Sequence, residues 1–152
     1  MKKFSSVEEI LNFAIEREEE AHKFYTELAE RMDRPEMRKV FEDFAKEELG
    51  HKAKLEAVKQ NEFAISSEEE KVPSLGIADY AVDAEPKPDM DYAGVLVLAM
   101  KKEKAAYRLY LDLAAIAENE ELTNLFLSLA NEEAKHKLRF EIEYDDVILK
   151  ED

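Results

Sequence analysis

Residues Phe41–Glu56 read FEDFAKEELGHKAKLE, and residues Phe126–Glu141 read FLSLANEEAKHKLRFE. Set one under the other without a gap, they place Glu48-x-x-His51 on Glu133-x-x-His136 and Phe41 on Phe126. A second pair of stretches repeats at the same offset. AIEREEEAHKFYTELA, from Ala14 to Ala29, lies on AMKKEKAAYRLYLDLA, from Ala99 to Ala114, and puts Glu18 on Glu103. The separations 103−18, 133−48 and 136−51 are all 85. A match of this kind implies a duplicated unit, and the apolar spacing within it says that the unit is a helical hairpin.

Working outward, four long helices are expected, at about 6–32, 35–60, 91–118 and 120–147. Ser6 with Glu9 forms a capping box at the first start, and Pro35 suits the first turn of the second helix. The apolar stripes step by four and three. They run Val7, Leu11, Ala14, Glu18, Ala21, Tyr25, Leu28, Met32 in the first helix and Met37, Phe41, Phe44, Glu48, His51, Leu55, Val58 in the second. The third stripe is Tyr92, Leu96, Ala99, Glu103, Ala106, Tyr110, Leu113, Ala117, and the fourth is Leu122, Phe126, Leu129, Glu133, His136, Phe140 and then Val147. Such a pattern is the core seam of an antiparallel bundle. The fold class read from it is all-α: a four-helix bundle made of two antiparallel hairpins within a single domain spanning 1–152. A long crossover at about 62–90, which holds Pro73, Pro86 and Pro88, would join the hairpins. In that crossover the Ser66–Glu70 run is expected to be solvated, and Leu75, Ile77 and Tyr80 suggest a short helix.

Six residues on the seam have the wrong chemistry for a core. Glu18, Glu48, His51, Glu103, Glu133 and His136 stand where a soluble bundle would put leucine. Counted from turns near residues 34 and 119, each lies roughly 20–25 Å along its helix at 1.5 Å per residue, so the members of a hairpin meet at one level. Four glutamates brought together in an apolar seam would repel one another and lose hydration. Two divalent cations, carrying +4 against −4, would remove the conflict. The i, i+3 spacing of each Glu-x-x-His puts both side chains on one face. Glu48 and Glu133 can therefore bridge two ions about 3.5–4 Å apart while the histidines cap them and Glu18 and Glu103 act as terminal ligands. Mixed carboxylate and imidazole ligation suits iron or manganese, and zinc is possible.

The neighbours read differently. Glu16, Glu19, Glu20, Glu47 and Glu132 fall off the seam and are expected to face solvent. His22, beside Ala21, is expected at the surface or in a subunit contact. Tyr25 and Tyr110 follow the lone glutamates by two turns; they read first as core tyrosines and second as hydroxyls that orient a ligand carboxylate. Gly50, inside a helix, costs about 1 kcal/mol relative to alanine, and close helix packing or space beside the metals is the expected reason.

Composition bounds the rest. With 37 acidic and 22 basic residues the formal charge is −15, which argues against nucleic acid or an anionic membrane and favours cations. The absence of cysteine excludes disulfides, iron–sulfur clusters and a rubredoxin-type iron site within these residues. Neither a secretory h-region nor an apolar run of ~20 residues is visible, so a cytoplasmic location is expected.

The pattern Glu18-x-x-Ala21-x-x-x-Tyr25, Glu48-x-x-His51, Glu103-x-x-Ala106-x-x-x-Tyr110, Glu133-x-x-His136 resembles the rubrerythrin family of the ferritin-like superfamily. The resemblance implies a ferritin-like bundle with a non-haem di-iron centre that reacts with hydrogen peroxide or dioxygen, and so a role in oxidative stress. It also implies homodimers, in some members formed by exchange of helices across the crossover. Two departures stand out. Typical rubrerythrins carry a rubredoxin domain that feeds electrons to the irons, so here an external donor such as a rubredoxin is expected. Rubrerythrins also have a further glutamate one turn after the first in the third helix, where this chain has Ala106. The resulting expectation is an oxidoreductase in which Glu18, Glu48, His51, Glu103, Glu133 and His136 are both the metal ligands and the catalytic set. A ferroxidase that turns over on Fe(II) and sequesters iron is one alternative, and a helical module stabilised by a structural metal is another.

Overall fold

The computed structural model describes residues 7–60 and 90–151. Among them are four helices and no strand: α1 (Val7–Arg31), α2 (Pro35–Gln60), α3 (Tyr92–Ile116) and α4 (Glu120–Glu151). The expected capping box at Ser6 and the crossover at 62–90, apart from Met90, lie outside the described residues. Helices α1 and α2 belong to one compact unit, and α3 and α4 to another.

Local chemistry explains the ends. Between α1 and α2 the chain turns in three residues. The turn is closed by Met32 N–H donating to Ala29 O at 3.2 Å and by the Arg38 guanidinium donating to Met32 O at 3.1 Å. Pro35 opens α2, where a missing N–H costs nothing. Asp91 caps α3 by accepting from Gly94 N–H at 2.8 Å, and Asn119 caps α4 by accepting from Leu122 N–H at 2.8 Å. Glu120 and Glu121 then sit at the positive end of the α4 dipole. Helix α3 stops at Ile116, two residues before its expected end, because Ala117 turns to extended backbone at φ −68° and ψ 139°. Helix α4 runs four residues beyond its expected end at 147, since Ile148, Leu149, Lys150 and Glu151 include no breaker.

In each hairpin the seam is buried largely as its spacing predicts. Leu11, Ala14, Tyr25, Leu28, Met37, Phe41, Leu55 and Val58 are buried in the first, and Leu96, Ala99, Tyr110, Leu113, Leu122, Phe126, Leu129 and Phe140 in the second. The faces are wider than the single stripes. Ile10, Phe24, Ala29 and Ala45 are also buried, as are Val95, Leu98, Leu109, Ala114 and Ala130. Tyr25 stacks on Phe41 with ring centroids 6.1 Å apart and meets Phe44 edge-on at 6.0 Å, forming an aromatic layer on the turn side of Glu18 and Glu48.

Gly50 corrects one expectation. It is exposed, and a Cβ added there would meet nothing within 4 Å, so neither close packing nor space beside a metal accounts for it. Its only consequence is the entropic cost of glycine in a helix. Gly50→Ala is therefore expected to raise stability by about 1 kcal/mol, read as a higher denaturant midpoint with an unchanged slope; destabilisation would reveal a constraint on this position. Gly94 behaves differently. A Cβ there would come within 3.0 Å of the capping Asp91 Oδ1 and 2.9 Å of Met90 Cγ.

Candidate metal centre

Each hairpin carries its own triad. In the first, α1 supplies Glu18 and α2 supplies Glu48 and His51, one turn apart on one face. His51 Nδ1 lies 2.8 Å from Glu18 Oε2 and 3.1 Å from Glu48 Oε1. In the second, α3 supplies Glu103 and α4 supplies Glu133 and His136, with His136 Nδ1 3.5 Å from both Glu103 Oε2 and Glu133 Oε1. All six residues are at most 2% exposed. One donor atom from each member of a triad falls within 4.8 Å of the others. The level-matching read from the sequence thus holds within each hairpin. Position along the helix, and not proximity in the chain, brings Glu18 to His51 and Glu103 to His136.

The donor chemistry fits a metal. Two carboxylates and one imidazole buried in an apolar seam are an expensive arrangement without a cation, and they are the oxygen and nitrogen ligands that iron, manganese and zinc accept. In both triads the histidine turns Nδ1 toward the carboxylates, so Nδ1 is the nitrogen placed to ligate. The two triads differ in tightness, the first being drawn in by 0.4–0.7 Å relative to the second.

The surrounding residues sort as follows. Glu16, Glu20 and Glu47 are exposed, while Glu19 and Glu132 are half-buried. Glu19 lies 3.8 Å from Lys23 and 3.7 Å from Lys52, which links α1 to α2 from outside the core. Tyr25 and Tyr110 are each 1% exposed and belong to the core. Ala106, where the family has a further glutamate, is half-buried.

His22 is neither a free surface residue nor a ligand. It is half-buried, and its Nδ1 lies 2.9 Å from Ala45 O across the hairpin, which makes that nitrogen the protonated one.

The seam reading also missed Glu143. It is 4% exposed, one heptad after His136, whereas Val147, taken as the next seam residue, is only half-buried. Arg139, one turn earlier, places its guanidinium 3.6 Å from Glu143 Oε2. Glu143 lies ten residues beyond Glu133, about 15 Å along α4, too far to join the triad. The i, i+4 Arg-to-Glu spacing was the available signal.

The comparisons with known proteins agree with this geometry. The rubrerythrin family model matches residues 9–85 and 94–152. The chain belongs to the rubrerythrin family. A candidate ferritin-like diiron-carboxylate protein from Thermotoga maritima is 25% identical, with a TM-score of 0.79 over 97% of this chain and 99% of the other. A hypothetical protein from Pyrococcus furiosus is 28% identical, with a TM-score of 0.72 over 91% of this chain and 87% of the other. Comparison with curated proteins finds no significant match. The fold is thus ferritin-like, as the resemblance implies, with the four bundle helices expected from the repeat, and the family is one of metal-binding diiron-carboxylate proteins. Among the described residues no helix is long and apolar enough to cross a membrane.

Proposed function

We propose that the two triads together hold two iron ions and that the loaded protein is an oxidoreductase, reducing hydrogen peroxide or dioxygen with electrons from an external donor. One observation carries this reading: the same set of two glutamates and a histidine is buried, with converging donor atoms, in both halves of a duplicated rubrerythrin-family chain. Glu18, Glu48 and His51 would be the ligands from the first hairpin and Glu103, Glu133 and His136 those from the second. When bound, two ferrous ions supply one electron each, the number that reduction of hydrogen peroxide to two waters requires along with two protons.

The chain's own residues do the rest. Four carboxylates balance two dications, so a filled site adds no net charge to the core. The aromatic layer of Tyr25, Phe41 and Phe44 beside the first triad keeps water from the turn side, which strengthens the electrostatics within. Manganese and zinc meet the same donors. Their presence would leave the binding reading intact and remove the redox one.

The test is oxidation of the diferrous protein. We expect hydrogen peroxide to oxidise one equivalent of the centre faster than dioxygen does, with continued turnover only when a reductant such as reduced rubredoxin is added. If the protein instead oxidises many equivalents of Fe(II) and retains the ferric product, it handles iron and does not reduce peroxide. A loaded protein inert to both oxidants would make the metal structural.

A further inference from the structure

Duplication makes each hairpin a control for the other, and the two part company at the residues beside the ligands. In the first hairpin Glu19 follows the proposed ligand Glu18 on α1, and Lys52 follows His51 on α2. Their charged groups lie 3.7 Å apart, and Lys23, one turn beyond Glu19, stands 3.8 Å from the same carboxylate. An ion pair therefore crosses from α1 to α2 at the level of the triad. At the offset of 85 the same three positions are Lys104, Lys137 and Arg108, all positive. Lys137 turns to Glu141 on its own helix, 3.1 Å away, and Lys104 makes no ion pair among the described residues. Where the first hairpin has a strap, the second has two like charges.

The triads follow these charges. Across the strapped helices His51 Nδ1 is 2.8 Å from Glu18 Oε2, whereas His136 Nδ1 is 3.5 Å from Glu103 Oε2. The local charge differs in the same sense. Beside the three ligands of the first hairpin, Arg17 and Lys52 are cancelled by Glu19 and Glu47. Beside those of the second, Lys102, Lys104, Lys135 and Lys137 face Glu132 alone, so the positive charges win by three. Geometry and charge thus both favour a dication at the first-hairpin ligands, where the donors are already drawn together and less positive charge opposes the ion.

We propose that Glu19 and Lys52 are positioning residues that make the first-hairpin ligands the tighter set, so that metal loads there first while the ion held from the second hairpin loads last and leaves first. This rests on the reading that the two triads hold two ions. One surface ion pair is worth little by itself, but here an attraction in one half is set against a repulsion in the other, and the difference in charge adds to it. The two stepwise affinities should accordingly differ at least tenfold.

The chain has three histidines, so the order can be read directly. When Zn(II) is withdrawn stepwise from the loaded protein by a chelator of known affinity, the imidazole nitrogen resonances of His136 should change first and those of His51 second. His22, whose Nδ1 is held by Ala45 O, should stay still. Glu19→Lys gives the first hairpin the like-charged arrangement of the second; it should weaken the tighter step about tenfold and make the two histidines respond together. Glu16→Lys, an equal change of charge at an exposed position of α1, should weaken that step less than threefold, which separates positioning from net charge. Adding Lys52→Glu to Glu19→Lys reverses the pair and should recover most of the loss. Lys104→Glu builds the missing pair with Lys137 and should tighten the weaker step by a similar factor. Release from His51 first, simultaneous release in the wild type, or equal effects of Glu16→Lys and Glu19→Lys would each overturn the proposal while leaving the two-ion reading in place. If neither histidine responded to Zn(II), both would fall.

Discussion

Glu133→Ala is expected to lose at least one of the two metal ions proposed for the wild-type chain, while Glu132→Ala loads metal as the wild type does. The two residues are adjacent and chemically identical, so the contrast isolates position. Glu133 is fully buried, with Oε1 3.5 Å from His136 Nδ1, whereas Glu132 is half-buried and off the seam. Substituting even a residue that merely orients a ligand costs ~10–100-fold in metal affinity, and loss of a ligand itself should cost more. The measurement is metal content per chain after reconstitution with Fe(II) and removal of the excess, alongside circular dichroism to show that the fold is retained. Equal loss in both variants would mean that the charge of α4 attracts metal and that the triad does not bind it. The reciprocal pair in the first hairpin, Glu48→Ala against Glu47→Ala, should behave in the same way because Glu47 is exposed.

That the burial of these six residues and their grouping within each hairpin could be read from the sequence follows from duplication. One Glu-x-x-His on a helix is weak evidence, because acids and histidines are common on exposed helical faces. Two in register, each matched to a glutamate on the preceding helix at the same depth, require a shared environment, and burial of all six is what such an environment produces. The helix ends were legible for a different reason. Pro35, Asp91 and Asn119 act through local backbone chemistry that does not depend on tertiary contacts.

What was not legible depended on three-dimensional context. Glu143 falls on the seam by spacing alone, but an apolar stripe is followed by looking for apolar residues, so the eye passes to Val147. His22 reads as a surface or subunit-contact residue, since nothing in its stretch of sequence names Ala45, 23 residues away, as its partner. Gly50 invites an explanation by close packing or by space beside the metals, yet one residue along a helix from His51 is a 100° rotation, enough to turn it to solvent.

Glu48→Leu should make the metal-free protein more stable than metal-free wild type, by about 1–4 kcal/mol, even though it removes a ligand. Glu48 is fully buried in a seam flanked by Phe44 and Leu55, so leucine, similar in size, fits the local pattern and adds apolar burial. The choice of residue matters. With Glu48 gone, His51 Nδ1 still has Glu18 Oε2 at 2.8 Å, so one carboxylate faces one imidazole and the pair can share a proton. His51→Leu does the opposite: it leaves Glu18 and Glu48 buried together with no imidazole between them, and should lower the stability of the metal-free form, since stranding buried charge is among the costlier single changes. Denaturant unfolding in the presence of chelator measures both. Adding metal should then invert the order, because wild type gains RT ln(1 + [metal]/Kd) per site and Glu48→Leu gains less. If Glu48→Leu destabilised the metal-free chain as much as His51→Leu does, the carboxylate would be contributing to the fold itself. The seam glutamate would then be explained by structure and not by a stability cost accepted for metal binding.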